Sequence, residues 1–121
     1  MKIVFDEETL NCKIEALGDI PEIEIGEKVK KICPGRLSYL KEYAKISVDS
    51  RNLYYNETDG VLFSNSSREL VKFPPRKEVD RETYTIPEGV VKIEEYAFQH
   101  CYTVETIVLP STISKIEKKR I

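Results

Sequence analysis

The sequence predicts an α/β solenoid: a short right-handed coil of parallel strands and short helices, closed at its N-terminus by a β-hairpin. Two repeats and one pattern carry that expectation. Ile86-Pro87, Val90 and Ile93 return as Leu109-Pro110, Ile113 and Ile116, each 23 residues later. A period in this range is the mark of a winding chain whose turns stack on one another. A weaker copy lies 61 residues upstream, where Ile25, Val29 and Ile32 match Ile86, Val90 and Ile93. The same offset maps Leu37 onto Phe98, Leu40 onto Cys101, Ile46 onto Ile107 and Val48 onto Leu109. Between these positions run short alternating segments bounded by Pro, Gly and Asp, the pattern of strands and turns.

Residues 1–24 form the first predicted unit. Lys2-Ile3-Val4-Phe5 reads as a strand, Asp6–Thr9 as a polar turn, and Cys12–Leu17 as a returning strand, which together make a hairpin cap. A solenoid needs such an atypical end to close its first coil. Residues 25–121 form the solenoid itself. Pro34 allows a helix to begin just after it, since a first-turn proline sacrifices no helical hydrogen bond, and Leu37, Leu40 and Ala44 share one face of that helix. Lys45–Val48 alternates as a strand.

Residues 49–75 lengthen this coil. Asn56–Gly60 supplies a turn with an Asp-Gly pair suited to positive φ, and Ser64–Ser67 supplies another. The segments Val61–Phe63 and Leu70–Phe73 make this a small antiparallel insertion on the solenoid edge, ended by Pro74-Pro75. Arg76–Glu82 is a charged loop. Tyr84–Ile86 is the next strand. Ile93, Ala97, Cys101 and Val104 recur every three or four residues, so Glu94–His100 is predicted as a short helix. Thr106–Leu109 is the last full strand. The buried rungs expected from this reading are Ile46, Ile86 and Ile107.

Composition narrows the function classes. The chain of 121 residues suits one domain. A formal net charge of -2 lacks the clustered positive charge that binding to nucleic acid or anionic membrane requires. The basic tail Lys115, Lys118, Lys119 and Arg120 reads as a solvated end over the last coil. No apolar run is long enough to span a membrane, and MKIVFDEETL turns acidic where a secretory signal would be apolar. A native start at Met1 therefore implies the cytoplasm, and a piece of a larger exported protein implies the cell surface. Cys12, Cys33 and Cys101 are an odd, scattered set, read as buried free thiols and not as a disulfide framework.

Candidate chemistry is sparse. His100 and Cys101 are adjacent, so on a helix they would point about 100° apart, and Cys101 falls on the apolar stripe where it would not be reactive. Glu94 and Glu95 suit the first turn of a helix through its dipole. Asp49, Asn56 and Asp59 do not have the spacing of a calcium loop. No metal, cofactor or catalytic set is predicted. Asn56-Glu57-Thr58 and Asn65-Ser66-Ser67 fit the glycosylation sequon and read most simply as turns.

The order Ile86-Pro87, Val90, Ile93, Ala97-Phe98, Cys101, Val104, Ile107 and Leu109-Pro110 resembles the leucine-rich repeats of the BspA-like type, found in many bacterial surface proteins. The stretch Ile46–Asp49, Asn52, Tyr55 and Asp59–Phe63 resembles the extended coil of that family, so the likeness spans roughly residues 25–116. It implies a parallel-stranded solenoid and a role in binding proteins or matrix.

Strand alternation then names a surface. With Ile46, Val48, Ile107 and Leu109 inward, Lys45, Ser47, Thr106 and Val108 point outward, with Thr85 between them. Tyr54, Tyr96 and Tyr102 lie off the apolar stripe and are the aromatic contact candidates, since tyrosine offers area and a hydrogen bond at low entropic cost. The expected function is a non-catalytic module that binds another protein. The alternatives are a structural role, in which a homo-oligomer forms through the open C-terminal edge after Thr106–Leu109, and a small cytoplasmic effector or inhibitor from a mobile element.

Overall fold

A computed structural model describes residues 2–13, 22–38, 45–75 and 79–116. The chain winds as a solenoid of stacked parallel strands. Strand β1 (Lys2–Phe5) pairs in parallel with β3 (Glu22–Ile25), and β3 with β5 (Lys45–Val48), so that Ile3, Ile23 and Ile46 form one rung and Phe5, Ile25 and Val48 the next. A second ladder joins β2 (Thr9–Leu10) to β4 (Lys31–Ile32). Further along, β9 (Thr83–Thr85) pairs with β11 (Thr106–Val108), and β10 (Lys92–Ile93) with β12 (Lys115–Ile116), all in parallel.

Between these two stacks sits an antiparallel meander of β6 (Tyr55–Thr58), β7 (Val61–Ser64) and β8 (Glu69–Lys72). It does not lie on the solenoid edge. All four residues of β7 are buried, because the sheet separates two cores and is covered on both faces. Leu62, Val71 and Tyr55 pack with Ile23, Ile25, Val29, Ile32 and Ile46. Val61, Phe63, Leu70 and Phe73 pack with Ile86, Val90, Ile93, Ala97 and Phe98. Each such aliphatic or aromatic side chain contributes roughly 1.5–3 kcal/mol by leaving water.

The junctions are made differently on the two sides. Towards the C-terminus β8 continues the ladder, with Glu69 opposite Lys92 and Leu70 opposite Ile93. Towards the N-terminus side chains replace a strand. The Tyr55 hydroxyl accepts the Ile32 N–H at 2.9 Å. Asn52 donates to the carbonyls of Gly26 and Val29 at 2.7 and 2.9 Å and accepts from the N–H groups of Tyr54 and Tyr55 at 2.7 and 2.9 Å. One buried carboxamide thus satisfies backbone groups that a sheet edge would otherwise leave unpaired.

Several expectations are corrected. No α-helix occurs among the described residues, where the winding is built of strands and 3-10 turns in place of the expected short helices. A 3-10 turn covers Pro34–Leu37 and another Asp80–Glu82; residues 39–44, which were to complete the first helix, lie outside the described residues. Where a helix was expected over Glu94–His100, Tyr96 and His100 have φ of 66° and 62°. A right-handed helix cannot pass through such residues. Tight turns replace it, with N–H groups of Ala97, Gln99 and Cys101 bonded to carbonyls three residues back.

The N-terminal strand belongs to the winding. Lys2–Phe5 joins the ladder of β3, and the boundary expected at residue 24 cuts through β3 itself. Most of the returning arm of the expected hairpin, residues 14–17, lies outside the described residues. Cys12 and Cys33 form a disulfide with Cα atoms 5.1 Å apart, and only Cys101 among the described cysteines is a free thiol. The Leu10–Ile32 register brings these two cysteines side by side on consecutive coils.

The rung assignment also changes. Ile46 stacks on Ile23 in the first core, whereas Ile86 is buried in the second and Ile107 packs against its margin. Ile107 lies opposite Tyr84, and the Ile86 N–H donates to the Val108 carbonyl at 3.0 Å. The three isoleucines do not share one interior column. The meander divides it.

Candidate functional site

The outward strand positions fall on two separate sheets. On the first, Lys2, Glu22 and Lys45 form one outward rung and Val4, Glu24 and Ser47 the next. Lys2 reaches Glu24 at 3.0 Å, and that contact raises the lysine pKa, the hydrogen bond contributing most. Lys45 is exposed; Ser47 is half-buried, with its hydroxyl near the Ile23 carbonyl at 3.4 Å. Charge alternates along the first of these rungs, and on the second Glu24 lies between Ser47 and exposed Val4.

On the second sheet, Thr83 lies opposite Thr106 and Thr85 opposite Val108. Thr85, Thr106 and Val108 are exposed. Tyr84 between them turns inward, edge-on to Phe73 at 4.8 Å between ring centroids, and burial pushes its phenol up to about 12. This face is neutral and rich in threonine. Its margin is acidic: Glu105 donates its N–H to the Glu82 carbonyl at 2.8 Å, and the neighbouring Glu105 carboxylate raises the Glu82 pKa.

No strand pairing joins β5 to β9 among the described residues. Lys45 and Ser47 therefore lie on one sheet, and Thr85, Thr106 and Val108 on another. The tyrosines are elsewhere. Tyr54 is half-buried against the first core. Tyr96 is half-buried, with its ring facing Gly35. Tyr102 is 68% exposed, its hydroxyl 3.2 Å from His100 Nδ1. Tyr96 and Tyr102 occupy the return from β10 to β11.

Two grooves border these elements. One of about 340 Å³ lies where the meander meets the turn after β9, between Asn56, Asn65 and Arg68 on one side and Pro87–Val90 on the other. Another of about 440 Å³ is lined by the Cys12–Cys33 disulfide, Pro34, Tyr96 and Gln99. Among the described residues no cluster of His, Cys, Asp or Glu could hold a metal ion, and no helix is long and apolar enough to cross a membrane.

Polar groups that sequence reading passed over lie inside. The Lys72 side chain is 2% exposed, and its ammonium donates to the Tyr96 carbonyl at 3.1 Å. Burial pushes it down to about 8. Cys101 beside it donates its thiol to the Phe73 carbonyl at 3.5 Å and is pushed up to about 12 by burial. That thiol is protonated at neutral pH and is no nucleophile. Glu69 and Glu94 face each other with Lys92 Nζ at 3.9 and 3.6 Å. Burial and the Glu94 carboxylate push Glu69 up to about 7.

The decisive comparison is with a model described as "BspA type Leucine rich repeat region (6 copies)", which matches residues 76–120. Residues 76–120 thus resemble a BspA-type leucine-rich repeat region. Solved leucine-rich repeat proteins share the winding. One from Eubacterium ventriosum is 25% identical with a TM-score of 0.68, over 80% of this chain and 26% of that one. A leucine-rich cell surface protein from Faecalibacterium prausnitzii is 25% identical with a TM-score of 0.66, over 80% and 25%. The pneumococcal vaccine antigen PcpA shares the fold at 19% identity, with a TM-score of 0.69 over 95% of this chain and 26% of that one. The chain spans about a quarter of the length of these structures. No curated protein matches it.

Proposed function

We propose that this chain is a non-catalytic module that binds another protein through its outward strand faces. The observation that carries this reading is the alternation on β5, β9 and β11. Lys45, Thr85, Thr106 and Val108 are exposed, while the residues between them pack into or against the two cores. Such positions are rigid, so contacting a partner costs little ordering entropy. The alternating charge on the first sheet suits a partner of mixed charge, and the neutral second sheet suits a polar one. Exposed Tyr102 is the aromatic anchor best placed for contact beyond the strands. Leucine-rich-repeat solenoids are typically interaction scaffolds, which supports the non-catalytic reading.

We further infer that the protein works outside the cytoplasm. A disulfide between consecutive coils persists in oxidising compartments, and one similar structure is of a cell surface protein. Alkylation of intact cells before lysis tests this: Cys12 and Cys33 labelled as thiols would sink the inference.

The binding surface is tested by immobilising the chain, recovering its partner from the medium or surface of neighbouring cells, and repeating with Lys45→Glu and Thr106→Arg. Loss with one variant identifies its sheet as the contact. Full retention by both variants refutes the strand-face reading.

A further inference from the structure

The meander is wider than the second core it covers. In the β6–β7 register Asn56 lies opposite Phe63 and Thr58 opposite Val61, and residues paired in this way share a face of the sheet. Val61 and Phe63 are buried in the second core, whereas Asn56 is half-buried and Thr58 exposed. β6 is the outermost strand of its sheet among the described residues. Its two polar residues therefore continue, past the margin of the core, the face that β7 and β8 make apolar. The shelf left under them is the groove of about 340 Å³ bounded on its other side by Pro87–Val90. Phe63 and Val90, 8% and 6% exposed, form its apolar floor.

The polar groups around this groove are set to donate. The Thr58 hydroxyl donates to Asn56 Oδ1 at 3.1 Å, Asn56 Nδ2 donates to Asn65 Oδ1, and Asn65 Nδ2 donates to the Leu53 carbonyl at 3.3 Å. Both carboxamide oxygens are thus engaged, while each nitrogen keeps a second N–H. Glu88 is the one acidic residue in the lining, and its carboxylate is committed to the next coil, where it accepts the Ser111 N–H and hydroxyl at 3.2 and 3.1 Å. Arg68 also lines the groove and is exposed. No acidic side chain among the described residues pairs with its guanidinium. Its backbone has a φ of 53°, a conformation that glycine takes freely and that other residues take at a cost. The turn between β7 and β8 thus carries a long cationic side chain where glycine would fit best.

The geometry points to this groove as a binding site for a short peptide segment of a partner, one that sets a carboxylate on Arg68 and an aliphatic side chain on Phe63 and Val90. The charge of Arg68 and the spare carboxamide N–H groups call for an anionic, acceptor-rich group, and a guanidinium meets a carboxylate through two parallel hydrogen bonds. The floor calls for an aliphatic group, because Phe63 at 8% exposure offers no open ring face on which a sugar could stack. A volume near the lower end for ligand sites suits a short segment. The carboxylate can belong to a chain terminus or to an Asp or Glu side chain, since the chemistry at Arg68 is the same. This site goes beyond the strand-face reading, because Lys45, Thr85, Thr106 and Val108 take no part in its lining.

The test is an amide NMR titration of the full chain, to millimolar concentration, with acetyl-Ala-Leu bearing a free carboxylate, its C-terminal amide, acetyl-Leu-Asp-amide, and glucuronic acid. At least one of the two carboxylate peptides should shift the amides of Asn65, Arg68, Gly89 and Val90 saturably. It should bind roughly tenfold or more tightly than acetyl-Ala-Leu-amide, the factor expected for a hydrogen bond to a charged group. The peptide that binds identifies the source of the carboxylate. Arg68→Gly should lose the same factor while resisting urea at least as well as the unaltered chain, since glycine suits a φ of 53°. Arg68→Lys should retain part of the affinity. Lys45→Glu and Thr106→Arg should bind the probes unchanged, which separates this site from the strand faces. Binding of neither carboxylate peptide, equal binding of the amide, or unchanged affinity in Arg68→Gly overturns the inference. So does glucuronic acid bound as tightly as the peptides, or loss of binding in Lys45→Glu or Thr106→Arg.

Discussion

Replacing Lys72 with Met should stabilise the protein at neutral pH and remove one component of its pH dependence. Lys72 is buried in the second core, with its ammonium held by one carbonyl. Its fall from 10.5 to about 8 corresponds to roughly 3 kcal/mol spent on carrying the charge in the folded state. The Tyr96 carbonyl would keep a donor after substitution, because it also accepts the Gln99 N–H at 3.2 Å. Methionine fills a similar volume without the charge. The expected gain at pH 7 is about 1–3 kcal/mol, less than the full penalty because repacking is imperfect. The folded pKa lies below the unfolded one, so the unfolded chain binds more protons above pH 8 and stability from this group rises with pH. Between pH 7 and 9 the rise is about 1.4 kcal/mol. Urea unfolding of both proteins at pH 7, 8 and 9 measures it. Their stability difference should narrow by that amount as pH rises. Tyr84 and Cys101 are both pushed up to about 12 from 10.0 and 9.0; in the unfolded chain Cys101 begins to ionise towards pH 9 and Tyr84 above it, and both largely cancel in the difference. A Met variant less stable at pH 7, or two parallel pH curves, refutes the reasoning.

Other perturbations probe the joints. Asn52→Ala leaves the Gly26 and Val29 carbonyls and two N–H groups without their partner, and should cost about 3 kcal/mol in chemical denaturation; a loss below 1 kcal/mol, on the order of one hydrogen bond, would mean that water replaces the side chain. Reducing the disulfide, or Cys12→Ser, should cost about 3 kcal/mol and raise amide exchange at Cys33, whose N–H donates to Leu10 on the neighbouring coil, more than at Ile86. Glu69→Gln should flatten a loss of stability between pH 4.5 and about 7: the folded pKa is raised, so the unfolded chain releases its proton first and the native state loses ground as pH climbs. Melting curves across that range decide it.

Much of the winding was legible because apolar spacing survives translation into rungs. The repeat of Ile86, Val90 and Ile93 by Leu109, Ile113 and Ile116 reports parallel stacking directly, since equivalent residues of successive coils must meet. The helix over Glu94–His100 was misread because Ile93, Ala97, Cys101 and Val104 have a spacing that tight turns can also produce. What separates the two is positive φ at Tyr96 and His100, and neither residue type announces it as glycine would. The disulfide was hidden by treating cysteines as a local motif. Cys12 and Cys33 are 21 residues apart, close to one coil, and only the coil period makes that spacing meaningful. The outward residues of β5, β9 and β11 followed from alternation, but their division between two sheets depends on what the meander does to the stack.

That division has a physical origin in residues 61–63. Val61-Leu62-Phe63 does not alternate with polar residues, and an unbroken apolar run is the pattern of a strand covered on both faces. In a peripheral hairpin one of these side chains would face water, at a loss of roughly 1.5–3 kcal/mol. Here Val61 and Phe63 serve one core and Leu62 the other. The meander therefore acts as a shared wall. It ends the β2–β4 ladder, with the Tyr55 hydroxyl taking the Ile32 N–H and Asn52 the Gly26 and Val29 carbonyls, and restarts a parallel ladder through β8. The strand faces on either side are consequently independent in charge and composition, the first carrying Lys and Glu and the second a row of Thr with Val108. A partner that reads both must span the wall. One that reads a single face will be sensitive to Lys45 or to Thr106, but not to both.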